Sequence, residues 1–130
     1  AAGLVSTADD FVAFSQMMLG RGTHRGERIL SRPSVELMTT NHVTPAQRAA
    51  ASPFLSPYAG WGFGVCVVTS REQTWAPVGR YGWDGGFGTS WAVDPAEELT
   101  GMVLTQRMFT PAPPAVVDDF WTSAYAAIDD

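Results

Sequence analysis

Six consecutive residues, Trp83-Asp84-Gly85-Gly86-Phe87-Gly88, carry most of what this chain offers for chemistry. Tyr81 and Gly82 precede them, and Thr89 and Ser90 follow. Glycines at this density let another molecule approach the main chain without meeting a Cβ. The stretch therefore reads as one wall of a binding cleft. The same glycines also fit a bulge or a hairpin with special backbone angles. Asp84 fits a solvated turn or strand-edge charge better than a catalytic acid. A phosphate loop does not fit, because no Lys-Ser or Lys-Thr follows and no strand–loop–helix order surrounds it.

The groups that should stand opposite such a wall are missing. There is no lysine; all 8 basic residues are arginine. Cys66 is the single cysteine, which excludes an intrachain disulfide. It lies in the apolar run Val65-Cys66-Val67-Val68 and reads as a small buried hydrophobe. A catalytic thiol needs a base and an electropositive setting, and neither is in sight. His24 and His42 are too far apart in the chain for the close ligand spacing of a metal site. Ser70 and Ser90 lack a Gly-x-Ser-x-Gly signature. Asp118, Asp119, Asp129 and Asp130 read as a solvated helix face and tail. No metal and no cofactor is expected.

At 130 residues and 45% apolar content the chain is about one domain with enough material for a core. Its net charge of -5 and lack of a basic run argue against nucleic acid as a partner, since phosphate contacts need clustered cations. No apolar run approaches the roughly 18 residues that span a membrane, and no signal segment opens the chain. The first residue is Ala, which is expected of a chain that begins inside a longer polypeptide.

The elements that must position the glycine-rich wall follow from periodicity. A helix is predicted over 6–19, with Ser6 or Thr7 as cap and Phe11, Phe14 and Met18 as its apolar stripe. Gly20 and Gly22 stop it, and 23–28 reads as a polar turn. A second helix starts near Ser31, with Pro33 in its first turn, and ends near Thr40-Asn41. Residues 43–60 read as a long loop. Strands are predicted over 61–69, 87–93 and 99–106. Short turns between them imply an antiparallel meander. Pro111, Pro113 and Pro114 break the chain, and 115–128 repeats as an amphipathic helix that should lie on the sheet. The fold class is α+β: two helices, a three-stranded antiparallel meander and a C-terminal helix.

Four strings, taken in order, resemble the serine β-lactamase and penicillin-binding-protein superfamily. They are Gly3-Leu4-Val5-Ser6-Thr7-Ala8-Asp9-Asp10; Leu30-Ser31-Arg32-Pro33-Ser34-Val35-Glu36-Leu37-Met38-Thr39-Thr40-Asn41; Gly60-Trp61-Gly62-Phe63-Gly64-Val65; and Gly82-Trp83-Asp84-Gly85-Gly86-Phe87-Gly88-Thr89. The nearest likeness is to the class C β-lactamase-like, or family VIII, esterases. That family uses Ser-x-x-Lys, then Tyr-x-Asn or Ser-x-Asn, then Lys-Thr-Gly or a His or Trp form of it. Trp83-Asp84-Gly85 matches the third motif in its Trp form. The resemblance then makes Gly86 the backbone N–H donor of an oxyanion hole, and Trp83, Asp84, Gly85, Phe87 and Gly88 the substrate-binding wall. The first two motifs are absent, and Asn41, the lone asparagine, matches neither form of the second.

The resemblance implies that residues 1–130 are the C-terminal segment of a serine hydrolase domain whose nucleophile lies upstream. The complete protein would open a small-molecule ester or β-lactam through an acyl-serine, and this chain alone would be inactive. The Trp form leans toward an ester, because Trp offers no charge to a β-lactam carboxylate. The alternative is a non-catalytic binding module that kept the sheet and lost the chemistry. Either way, a sheet edge left open would favour self-association.

Overall fold

Thr7 starts the first helix. Its side-chain oxygen accepts from the Asp10 N–H at 3.1 Å, and α1 runs Ala8–Leu19. The cap satisfies an N–H that a helix start leaves unpaired, and Asp9 and Asp10 complement the positive end of the dipole. Gly22 follows at φ +90, packed so closely on the Leu30 carbonyl that no side chain fits. The computed structural model describes residues 4–110 and 114–129. The breaks expected at Pro111 and Pro113, and the tail residue Asp130, lie outside them.

The polar turn after α1 is a miniature hairpin, β1 (Thr23–His24) against β2 (Glu27–Arg28). Helix α2 (Arg32–Met38) starts where expected, with Ser31 Oγ accepting from the Ser34 N–H and proline in the first turn. The predicted loop over 43–60 is corrected: it contains α3 (Pro45–Ala50). Thr44 and Gln47 close a reciprocal capping box, and Pro45 opens the helix.

The sheet has five antiparallel strands rather than three, in chain order: β3 (Ala59–Trp61), β4 (Cys66–Val68), β5 (Tyr81–Gly85), β6 (Thr89–Asp94) and β7 (Leu99–Leu104). The single strand expected over 61–69 is two. The chain turns back at Gly62-Phe63-Gly64-Val65, with Gly64 at φ +87 and Gly62 under the Met38 carbonyl. The glycine-rich wall supplies the fifth strand: β5 pairs with β6 from Tyr81↔Val93 to Gly85↔Thr89.

Strand alternation sends side chains to two cores. On one face Val65, Val67, Tyr81, Trp91 and Val93 pack against Met17 and Met18 of α1 and Val35 of α2. On the other, Ala92 meets Val117 and Trp121 of α4 (Ala115–Ala126). Two buried indoles reach polar partners on opposite faces. Trp91 Nε1 donates to Ser15 Oγ at 2.6 Å, and Trp121 Nε1 donates to Ser90 Oγ at 2.8 Å. These bonds let bulky rings enter the core without leaving an N–H unpaired. The α+β class and the C-terminal helix on the sheet are as expected.

Candidate active site

β5 and β6 end together in a tight turn. The Gly88 N–H donates to the Gly85 carbonyl at 2.9 Å, leaving Gly86 and Phe87 at the tip. Gly88 sits at φ +94, and a Cβ there would overlap the Arg107 carbonyl and Thr105 Oγ1. Its carbonyl accepts from both the N–H and the Oγ1 of Thr105 at 2.8 Å. The backbone groups of Gly88 are thus used within the fold, and its contribution is the shape of the turn.

Gly86 is different. It is exposed, and nothing lies within 4 Å of where its Cβ would be. Its carbonyl accepts from the Phe109 N–H at 2.9 Å, which fixes the peptide that follows it. Among the described residues its own N–H meets no acceptor. The peptide that carries this N–H is held through the Gly85 carbonyl by the Gly88 N–H, and a held backbone N–H without a protein acceptor is a geometry that can receive a developing oxyanion.

Trp83 stands two residues before the end of β5 pairing, 42% exposed. With Gly85 it faces a groove of about 540 Å³ between the sheet and α1. Phe11, Phe14, Met38, Phe63 and Leu104 are among its apolar lining, and no charged side chain lines it. Phe87 is 57% exposed at the turn tip.

Asp84 points the other way. It shares a smaller cavity on the α4 face with Arg80 and Cys66. There the Arg80 guanidinium lies over Trp121 at 4.3 Å and Trp75 at 5.2 Å. Burial lowers its proton affinity below the usual arginine range. Burial first, then the Asp84 carboxylate, pushes the Cys66 thiol up to about 11, so it is no nucleophile at neutral pH. The six-residue wall is therefore split by strand alternation: the Trp83 side chain and Gly85 are on the groove side, and the Asp84 carboxylate is not.

The remaining candidates take structural positions. Ser90 is buried as the acceptor for Trp121, and Ser70 is exposed. His42 stacks on Phe63 at 4.5 Å, with Nε2 at 2.8 Å from the Leu37 carbonyl. No group of three metal-ligating side chains occurs among the described residues. No helix among them is long and apolar enough to cross a membrane. Trp61 and Phe63, placed by the sequence on one face of a continuous strand, instead sit by Trp83 and the groove. Gly62 and Gly64 were the signal for that turn.

The profile of the Beta-lactamase family matches residues 1–126. The chain belongs to the beta-lactamase family. Within this family it is 40% identical over 115 residues to Protein Rv1367c of Mycobacterium tuberculosis, an alignment covering 81% of this chain and 28% of that protein. It resembles the solved structure of EstCE1, a hydrolase with promiscuous acyltransferase activity, at TM-score 0.75 and 28% identity, over 95% of this chain and 31% of that one. A simvastatin synthase (LovD6 mutant) from Aspergillus terreus shares the fold at TM-score 0.74 and 19% identity, over 93% and 33%. The beta-lactamase resemblance read from the motifs is borne out, and the chain spans under a third of the length of its curated relative.

Proposed function

We propose that this chain forms one side of a serine hydrolase active site. Gly86 supplies the oxyanion donor, Trp83 and Phe87 the apolar wall, and a Ser-x-x-Lys element outside these residues the nucleophile and base. The observation that carries this is the Gly86 N–H, engaged by no described residue and one residue beyond Gly85, which ends β5 and lines the apolar groove.

In the proposed reaction the serine Oγ bonds to the substrate carbonyl carbon as its proton passes to the base. The carbonyl electron pair moves onto oxygen, where the Gly86 N–H stabilises it. The pair then returns and expels the alcohol or lactam nitrogen, which takes the proton. Water repeats the sequence to release the acid. One such donor is worth roughly 3–4 kcal/mol in the transition state. The uncharged lining of the groove favours an ester over a carboxylate-bearing β-lactam. The same groove is the face on which the nucleophile-bearing element docks.

The test has two arms. The 130-residue chain alone is expected to show no saturable turnover of p-nitrophenyl acetate or nitrocefin and no fluorophosphonate labelling. In the complete polypeptide, Gly86→Pro removes the N–H and should lower kcat by about 10²–10³-fold. Gly86→Ala, whose Cβ meets nothing, should keep it. Equal activity of the proline and alanine variants would overturn the assignment.

A second reading has one observation in its favour: the outer edge of β7 pairs with no described strand. A binding module with that edge open would self-associate through it. A discrete, well-protected oligomer by light scattering and hydrogen exchange supports a stand-alone module. A molten or aggregating chain supports a piece of the hydrolase.

A further inference from the structure

We infer that Trp61 is the positioning residue that fixes the Trp83 ring, and through it the size of acyl group the cleft accepts. The inference rests on the serine hydrolase reading above.

Trp83 is poorly held by its own sheet. β4 pairs with β5 only at Cys66↔Gly82 and Val67↔Tyr81, so β4 stops short of Trp83. Its paired neighbour on the other side is Trp91 in β6. An exposed indole supported on one side hops between rotamers on a fast timescale. Trp61 closes that gap. Its ring meets Trp83 edge to face, with centroids 4.7 Å apart and planes at 87°. That arrangement biases ring orientation by roughly two- to tenfold.

Trp61 itself is fixed from the backbone. Its N–H donates to Asn41 Oδ1 at 3.1 Å, and its carbonyl accepts from the His42 N–H at 2.9 Å. Asn41 is locked in turn, accepting from the Val43 N–H at 3.0 Å and donating Nδ2 to the Val43 carbonyl at 3.2 Å. Gly60 has no side chain because a Cβ would overlap Asn41. The segment that follows α2 thus grips β3, β3 presents Trp61, and Trp61 sets Trp83 at the groove. The lone asparagine of the chain, which matches no catalytic motif, has its place here.

Two measurements test this. In the complete polypeptide the paired indoles should give an exciton couplet in circular dichroism, lost from the spectrum in Trp61→Phe and in Trp83→Phe. In the complete polypeptide, kcat/KM is compared for p-nitrophenyl acetate, butyrate and octanoate. Trp61→Ala should change the octanoate-to-acetate ratio by about tenfold, mainly through KM. Trp61→Phe, which keeps an aromatic edge, should restore most of it, and Trp61→Leu takes the place of the alanine variant if that variant does not fold. An active enzyme whose ratio is unchanged in both variants overturns the inference alone. A wild-type polypeptide that forms no acyl-serine with any of these esters overturns the hydrolase reading and the inference with it.

Discussion

Tyr125 of α4 reaches the end of β6, where its Oη donates to Asp94 Oδ2 at 2.6 Å. Asp94 is 2% exposed, and its other oxygen accepts from the Ala96 N–H at 2.9 Å and the Glu97 N–H at 3.4 Å. One carboxylate therefore caps the β6–β7 turn and anchors the last helix. Asp94→Ala leaves these donors unpaired and should cost about 2–3 kcal/mol. Tyr125→Phe should cost about 1–2 kcal/mol. Urea denaturation checks the order, and an unchanged midpoint in Asp94→Ala would contradict the anchor.

Gly86 and Gly88 are near neighbours with opposite tolerances. Gly88→Ala meets a positive φ, the Arg107 carbonyl and Thr105 Oγ1, so it should lose about 2 kcal/mol or more. Gly86→Ala projects into open space and should stay within about 0.5 kcal/mol. Paired thermal denaturation curves decide this. Equal losses would mean that the turn is not closed as described.

These two glycines show where sequence reading succeeds and stops. Helix α1, the Ser31 start of α2 and α4 were legible because caps and apolar stripes are local signals. Helix α3 was missed although Thr44, Pro45 and Gln47 spelled its start, because its alanines bury nothing and give no stripe. The β3–β4 turn was hidden because Trp61, Phe63, Val65 and Val67 alternate like one strand. β5 was hidden because Gly82 and Gly85 lower strand propensity, yet Gly82 is needed where the Trp91 carbonyl passes. The glycine-rich stretch stands out from composition. Its division between two faces, and the support of Trp83 by Trp61, depend on strand order and register, which no local pattern encodes.

Cys66 should resist modification at neutral pH. Its thiol is pushed up to about 11, chiefly by burial and then by Asp84. Iodoacetamide should label the folded chain far more slowly than the unfolded one. Removing the Asp84 charge as Asp84→Asn should speed the folded reaction at alkaline pH. The folded value lies above the unfolded one, so the unfolded thiol deprotonates first as pH rises. Stability contributed by this group is complete below the unfolded value and declines up to about pH 11. Cys66→Ala should flatten that decline in urea titrations at stepped pH.

Arg80 is wedged between Trp75 and Trp121, with its Nε buried and unpaired among the described residues. Lysine keeps the charge and loses the flat stacking surface. Arg80→Lys should therefore cost about 1 kcal/mol. A double-mutant cycle with Trp75→Leu should show a coupling of roughly 0.5–1 kcal/mol. Zero coupling would show that the stack contributes nothing.

The stitches from Thr105 to Gly88 and from Phe109 to Gly86 tie the hairpin tip to the segment that leaves β7. In its proposed role, the Gly86 donor would sit in a turn whose shape is kept by residues distant in sequence that need never touch a substrate. Turnover becomes adjustable from outside the cleft. Substitutions over 105–109 would act as a fine trim on the donor while specificity, proposed to be set at Trp83, stays put. A lineage could retune speed and selectivity on separate stretches of chain, with neither change forcing the other.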